Sequence, residues 1–234
     1  MENNKENSVR IQTSMLNELE KKALVWLANR QPKWVTSDLL TYIGTFGSII
    51  IAAGYILSSI NIHFLWLSSL GFIINWYGDS LDGTLARVRN HKRPIYGYYL
   101  DHTIDVINET IMFVGIGLSP LMNLELALLL LVVYLMMTVN VSINAHLKDE
   151  FKLTYAKLGP TEFRIICIII NTLIATIPFL QTVAMQFNLF GKEITFHSLD
   201  FAGVVILVVL FVMHITTITA DAKGYAKIDP PHKD

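Results

Sequence analysis

The chain has 234 residues, of which 53% are hydrophobic and only 16% charged, with a formal net charge of −1 and a mean hydropathy of +0.46. A soluble domain carries about 25% charge, so this is the composition of a membrane protein; it excludes a globally basic nucleic-acid binder and an acidic disordered chain. The single cysteine, Cys167, excludes an intramolecular disulfide framework and a Cys-rich zinc site.

Residues 1–13 are polar, lack a basic stretch joined to an apolar one, and read as a loose tail rather than a signal peptide. Residues 14–34 are expected to form an amphipathic juxtamembrane helix. Leu16, Leu19, Ala23, Trp26 and Leu27 recur every three or four positions, away from Glu18, Lys21, Lys22 and Asn29, and Trp34 follows. Residues 35–222 then hold six apolar runs, each near the roughly 20 residues that a bilayer requires: Asp38–Ser59, His63–Val88, Gly97–Ser119, Leu124–Leu147, Thr161–Thr182 and Leu199–Ala222. Residues 223–234 form a second tail. The predicted fold is therefore all-α, a six-helix transmembrane bundle preceded by an interfacial helix.

Basic residues set the orientation. Six precede the first run (Lys5, Arg10, Lys21, Lys22, Arg30, Lys33), and four lie around the second connection (Arg87, Arg89, Lys92, Arg93). Four more flank the start of the fifth run (Lys148, Lys152, Lys157, Arg164), and three end the chain (Lys223, Lys227, Lys233). In a six-span meander all of these share one side and only Lys192 faces the other, which predicts cytoplasmic termini.

Ionisable groups inside a span are costly and mark function. Asp79 and Asp82 stand three apart at the end of the second run; Asp101 and Asp105 stand four apart at the start of the third. Each pair shares a helical face. Asp79 lies eight residues before Arg87 and Asp105 eight after Gly97, each about 12 Å along its helix. Two antiparallel helices would thus gather four carboxylates just inside the membrane edge. So many acids need a counter-charge. Oxygen-only ligands suit Mg²⁺ or Mn²⁺, and a bridged pair of such ions is a clamp for phosphoryl chemistry. Gly83 and Ala86 leave the wall without bulk, and Arg87 offers a planar fork for phosphate oxygens. The competing reading is a set of structural ion pairs with Arg87 and Arg89.

The pattern Asp-x2-Asp-Gly-x2-Ala-Arg-x9-Gly-x3-Asp-x3-Asp, carried by Asp79, Asp82, Gly83, Ala86, Arg87, Gly97, Asp101 and Asp105, resembles the signature of the CDP-alcohol phosphotransferase family. The run from Thr36 to Thr41 also resembles that family's entry to its first span. The resemblance implies a transfer in which an alcohol hydroxyl attacks a CDP-linked donor and releases CMP. It assigns Asp79, Asp82 and Asp101 as metal ligands. Asp105 becomes the general base, itself able to touch a metal; Gly83, Ala86, Arg87 and Gly97 line the nucleotide. It further implies two Mg²⁺ or Mn²⁺ ions, a CDP-linked substrate, an alcohol acceptor, contact with membrane lipids, no nucleic acid, and a homodimer. Members acting on phosphorylated acceptors often carry a basic residue after the fourth acid, where this chain has Val106.

Gly159–Arg164 opens the fifth run. Pro160 and Glu162 suit a helix start, while Arg164 is a candidate for an acceptor or donor phosphate. Gly159-Pro160-Thr161-Glu162 and Asp101-His102 resemble segments of the choline- and ethanolamine-phosphotransferase branch. Glu109 continues the Asp101–Asp105 face one turn deeper and is a candidate for a cationic acceptor, a headgroup hydroxyl or a structural partner. His102 reads as a solvated histidine near the loop rather than a catalytic one. His214, Asn140 and Asn144 read as interhelical hydrogen-bonding groups, and Gly44, Gly47 and Gly54 as close helix packing. The favoured donor is CDP-diacylglycerol with a small polar acceptor. The alternatives are a CDP-amino-alcohol with diacylglycerol and, in another class, a divalent-cation transporter.

Overall fold

A computed structural model describes residues 9–11, 17–148, 150–152, 159–189 and 191–230. Most of the tail at residues 1–13 and the start of the expected juxtamembrane helix lie outside these, as do residues 231–234. Among the described residues the chain is mostly helical, with eight helices: α1 (Asn17–Arg30), α2 (Ser37–Leu57), α3 (Leu65–Val88), α4 (Pro94–Gly117), α5 (Leu124–Lys148), α6 (Pro160–Thr176), α7 (Pro178–Gln181) and α8 (Ser198–Ile228). A 3₁₀ turn at Ile62–Phe64 leads into α3.

Among the described residues three helices are both long and apolar enough to cross a membrane: Ser37–Leu57, Leu124–Ala145 within α5, and Ser198–Ile228. The other expected spans differ for identifiable reasons. With 24 residues each, α3 and α4 have the length. However, α3 carries Asn75, Asp79 and Asp82, and α4 carries Asp101, Asp105, Asn108 and Glu109, so neither is uniformly apolar. The fifth run is divided. Helix α6 stops at Thr176 because Pro178 has no N–H to donate and biases Ile177 toward its extended backbone (φ −105, ψ 105). Gln181 turns back from α7 and donates to the carbonyls of Ile174 (3.0 Å) and Ala175 (3.3 Å) at the broken end.

The fold is also not purely helical. The stretch between α7 and α8 is an antiparallel hairpin, Ala184–Leu189 paired with Lys192–His197. Gly191 supplies the positive φ of its turn. A second, three-residue parallel pairing joins Val9–Ile11 to Glu150–Lys152. The hairpin end is closed by Asp200, which is fully buried. Its carboxylate accepts from the backbone N–H of Asn123 (2.8 Å), from Asn123 Nδ2 (2.7 Å) and from the N–H of His197 (2.7 Å). Helix α8 runs six residues beyond the expected end of its span, so part of the expected terminal tail is helical.

Helices α2 and α3 meet backbone to backbone, and the expected glycine packing is what the structure shows. A Cβ added to Gly47 would lie 2.4 Å from the Asn75 nitrogen, one on Gly54 2.4 Å from Ser68 Oγ, and one on Gly78 2.2 Å from the Gly44 nitrogen. Across this seam Ser68 Oγ donates to the Ile51 carbonyl (2.9 Å), and Asn75 Nδ2 donates to the Gly44 carbonyl and to Ser48 Oγ (both 3.1 Å). A larger apolar cluster, with Ile51, Tyr55, Phe72, Leu130 and Ile174 among its members, fills the centre; Tyr55 OH donates to Asn171 Oδ1 inside it (2.8 Å).

Helix α1 docks by a face that shares only Leu27 with the expected stripe. Leu24, Ala28 and the partly buried Leu27 pack with Val35, Leu40, Leu81 and Leu85. Glu20 and Gln31 flank that apolar patch and bond Trp76 Nε1 (2.9 Å) and Tyr77 OH (3.0 Å). Leu19, Trp26 and Trp34 remain exposed, which leaves an apolar rim suited to an interfacial helix. The linker after α1 is fastened by Arg89, whose two terminal nitrogens donate to the carbonyls of Gln31 (2.9 Å), Pro32 (2.9 Å) and Val35 (2.5 Å).

Candidate active site

The expected carboxylates converge, though not by the direct packing of α3 on α4 that the sequence suggested. The extensive contacts are those of α2 with α3 and of α2 with α4. Helix α2 therefore backs both acid-bearing helices, and the acids face one another across the space between them. Asp82 lies within electrostatic range of Asp101 and Asp79; Asp105 lies within range of Asp79, Asp101 and Glu109.

On the α3 side each acid is held. Asp82 is 8% exposed; its Oδ2 accepts from Thr41 Oγ1 of α2 (2.6 Å) and its Oδ1 from the N–H of Gly83. Asp79 Oδ2 accepts from Arg164 Nη2 of α6 at 2.5 Å, and Arg164 Nε donates to Asn75 Oδ1 (2.9 Å). Asn75 is 1% exposed, so the guanidinium is registered against the rigid α2–α3 seam. On the α4 side Asp101, His102 and Asp105 each offer a ligand atom, all within 4.8 Å of one another. His102 is thus not a solvated loop histidine. Helix α4 begins at Pro94, which places His102 in its third turn, edge-on to Tyr98 with ring centroids 4.1 Å apart.

The donor chemistry fits divalent ions. Four carboxylates brought this close favour added positive charge, and oxygen ligands favour Mg²⁺ or Mn²⁺. The walls are open where a ligand would approach. A Cβ on Gly97 would meet nothing within 4 Å, and one on Gly83 only Arg87 Nη1 at 3.5 Å. Arg87 is oriented by Thr84, whose Oγ1 accepts from its Nη2 (2.8 Å). Of the cations that bear on the ion-pair alternative, two are placed by the structure. Arg89 is spent on backbone carbonyls, and the pairing with Asp79 falls to Arg164.

Three supporting residues were missed in the sequence. Thr41 and Asn75 orient Asp82 and Arg164. Glu20 accepts from both Trp76 Nε1 and Thr161 Oγ1 (2.5 Å), which ties α1 to the first turn of α6, three residues before Arg164. Asn140 and Asn144 of α5 both donate to Asp221 Oδ2 of α8 (3.3 and 2.7 Å), the interhelical role expected of them.

Two comparisons bear on identity. Over 84 residues the chain is 33% identical to a phosphatidylinositol phosphate synthase of Cutibacterium acnes, a stretch that makes up 36% of this chain and 38% of that protein. Residues 34–219, which contain the four carboxylates, His102, Arg87 and Arg164, match the family model for CDP-alcohol phosphatidyltransferases, and the chain belongs to that family of membrane transferases.

Proposed function

We propose that the protein transfers a substituted phosphate from a CDP-linked donor, with CDP-diacylglycerol favoured, to the hydroxyl of a small polar alcohol, releasing CMP and forming a phospholipid. The observation that carries this is the facing of Asp79 and Asp82 on α3 toward Asp101 and Asp105 on α4, beside the open backbone at Gly83 and Gly97. Asp79, Asp82, Asp101 and Asp105 would hold two Mg²⁺ or Mn²⁺ ions. When bound, such ions neutralise a pyrophosphate and the oxygen that leaves with CMP.

The chain's own residues supply the rest. Arg87, braced by Thr84, grips phosphate oxygens, and Ala86 and the two glycines let the nucleotide lie against the backbone. Asp105 takes the proton from the acceptor hydroxyl. The acceptor's hydroxyl oxygen, so deprotonated, forms a bond to the phosphorus distal to cytidine as the bond to the CMP oxygen breaks. Positioning and charge neutralisation supply most of the acceleration. Glu109 and Arg164 line the acceptor side. The bundle has six spans, with α3, α4 and α6 completing it alongside the three more apolar helices; both termini and the site face the cytoplasm, and the protein works as a homodimer.

Two observations favour a second acceptor chemistry. The relative is named a phosphatidylinositol phosphate synthase, and Arg164 stands beside the acids, so a phosphorylated polyol belongs in the panel despite Val106. Choline- or ethanolamine-type transfer to diacylglycerol is tested by the same assay with CDP-amino-alcohols. Purified protein with Mg²⁺ or Mn²⁺, labelled donor and an alcohol panel should release CMP, and Asp105→Asn should abolish turnover while nucleotide binding persists. If no donor yields CMP while proteoliposomes carry Mg²⁺ across the bilayer, the divalent-cation transporter class replaces this reading.

A further inference from the structure

Glu109 is a fifth acid that the two-ion scheme does not use. It lies four residues beyond Asp105 on α4, one turn or about 6 Å deeper along the same helical face. Thr138 of α5 and Asp79 both lie within electrostatic range of it. Its Oε2, buried from solvent, has no hydrogen-bond partner among the described residues. Arg164 Nη1 is in the same condition: its Nε and Nη2 are bound to Asn75 and Asp79, but Nη1 is buried and unmatched. Tyr134 of α5 lies within range of Glu109, Arg164, Asp105 and Asp79 together, so these orphaned groups belong to one polar locus. A buried acceptor and a buried donor left unsatisfied cost stability unless a ligand completes them.

We propose that Glu109 determines acceptor specificity, taking a hydrogen-bond donor carried by the alcohol a few ångströms from its attacking hydroxyl. This rests on the transferase reading above and deepens it. While Asp105 holds the reacting hydroxyl, Glu109 Oε2 accepts from a second hydroxyl or an ammonium, and Arg164 Nη1 donates to an oxygen on the other side. The matching acceptor is a small polyhydroxy or amino alcohol. A phosphate close to Glu109 is disfavoured by like charge, and a simple monohydric alcohol leaves both groups unsatisfied. A site built for a hydrogen bond discriminates strongly against an analogue that lacks it.

The test is steady-state CMP release by the full chain in proteoliposomes, with glycerol, myo-inositol, L-serine and ethanolamine as acceptors. Donor and acceptor are varied separately for the wild type, Glu109→Gln and Glu109→Ala. Glu109→Ala should raise the acceptor KM on the order of tenfold or more and leave the donor KM within about twofold. Glu109→Gln separates the two ligand chemistries, since an amide oxygen still accepts from a hydroxyl but no longer attracts an ammonium. Near-normal KM in that variant therefore assigns a hydroxyl, and a loss matching Glu109→Ala assigns an ammonium. Thr138→Val reports any purely structural role and should shift thermal stability without reordering the acceptors. The inference is overturned if both Glu109 variants keep the wild-type acceptor KM, or if donor and acceptor KM rise together. If Glu109→Ala does not fold, the isosteric Gln variant and equilibrium binding of the acceptors decide. Absence of CMP from the wild type would instead overturn the underlying transferase reading.

Discussion

The α2–α3 seam can be tested with one added methyl group. In Gly78→Ala the new Cβ would sit 2.2 Å from the Gly44 nitrogen and 2.5 Å from the Leu40 carbonyl oxygen, both backbone atoms with no rotamer to yield. Ordinary contact begins near 3.4 Å, so the helices must part by about 1.2 Å at that level. Overpacking of this kind costs about 1–3 kcal/mol. The parting also stretches the bonds from Asn75 to Gly44 and from Thr41 to Asp82, each worth about 0.5–1.5 kcal/mol. The expected total is about 2–6 kcal/mol, or on the order of 4–24 °C in melting temperature for a chain of this size. Gly97→Ala is the opposite case. Its Cβ meets nothing within 4 Å, and in the first turn of α4 alanine should gain about 0.5–1 kcal/mol over glycine. That variant should melt at or above the wild-type temperature yet lose CMP release, because the methyl group occupies the wall against which the nucleotide lies. Melting followed by tryptophan fluorescence in detergent, with CMP release alongside, reads both. Gly78→Ala melting with the wild type, or Gly97→Ala being the less stable of the two, would refute the packing argument.

Thr41→Val removes the hydroxyl that donates to Asp82 while nearly keeping its shape, so divalent affinity should fall about 10–100-fold, measured by Mn²⁺ titration with electron paramagnetic resonance. Glu20→Ala releases Trp76 Nε1 and Thr161 Oγ1. It should lower kcat several-fold and alter the Trp76 emission, with the loss recovered in part by Glu20→Gln, which keeps an acceptor oxygen. Hydrogen exchange on adding Mn²⁺ with CDP should slow most at residues 94–105 and little at residues 75–85, because the second stretch is already packed.

How far the sequence could be read depended on how far apart the interacting residues lie in it. The acids, Gly83, Ala86, Arg87 and Gly97 fall between Asp79 and Asp105 at short spacings, so the acids stood out by helical period and the rest by the family signature they complete. The residues that hold the acids do not. Arg164 is 85 positions from Asp79, Thr161 is 141 from Glu20, and Thr41 is 41 from Asp82. Such pairings depend on how helices pack, which no local pattern states. Two other misses did have local signals. Pro178 was overlooked because hydropathy continues through Ile177–Leu180. The hairpin has a local signal too: Met185, Phe187 and Leu189 alternate with polar residues before Gly191, and Ile194 and Phe196 follow it.

The two halves of the site are not equally prepared. On α3, Asp79 and Asp82 have defined partners from α6 and α2, and the backbone beneath them is locked by glycines and by the buried Asn75. On α4 the tightest contact with α2 comes far along the helix, where Gly115 meets Ala52, while residues 94–99 at its start are exposed. Like charges facing across the space between the helices repel, and the less anchored end is the one that can respond. Neutralising the acids would therefore act chiefly on α4, drawing Asp101 and Asp105 toward a fixed α3 wall. Asp105, the proposed proton acceptor, and Glu109 ride on that same helix, so binding of a charged donor would also set the position in which the acceptor is read.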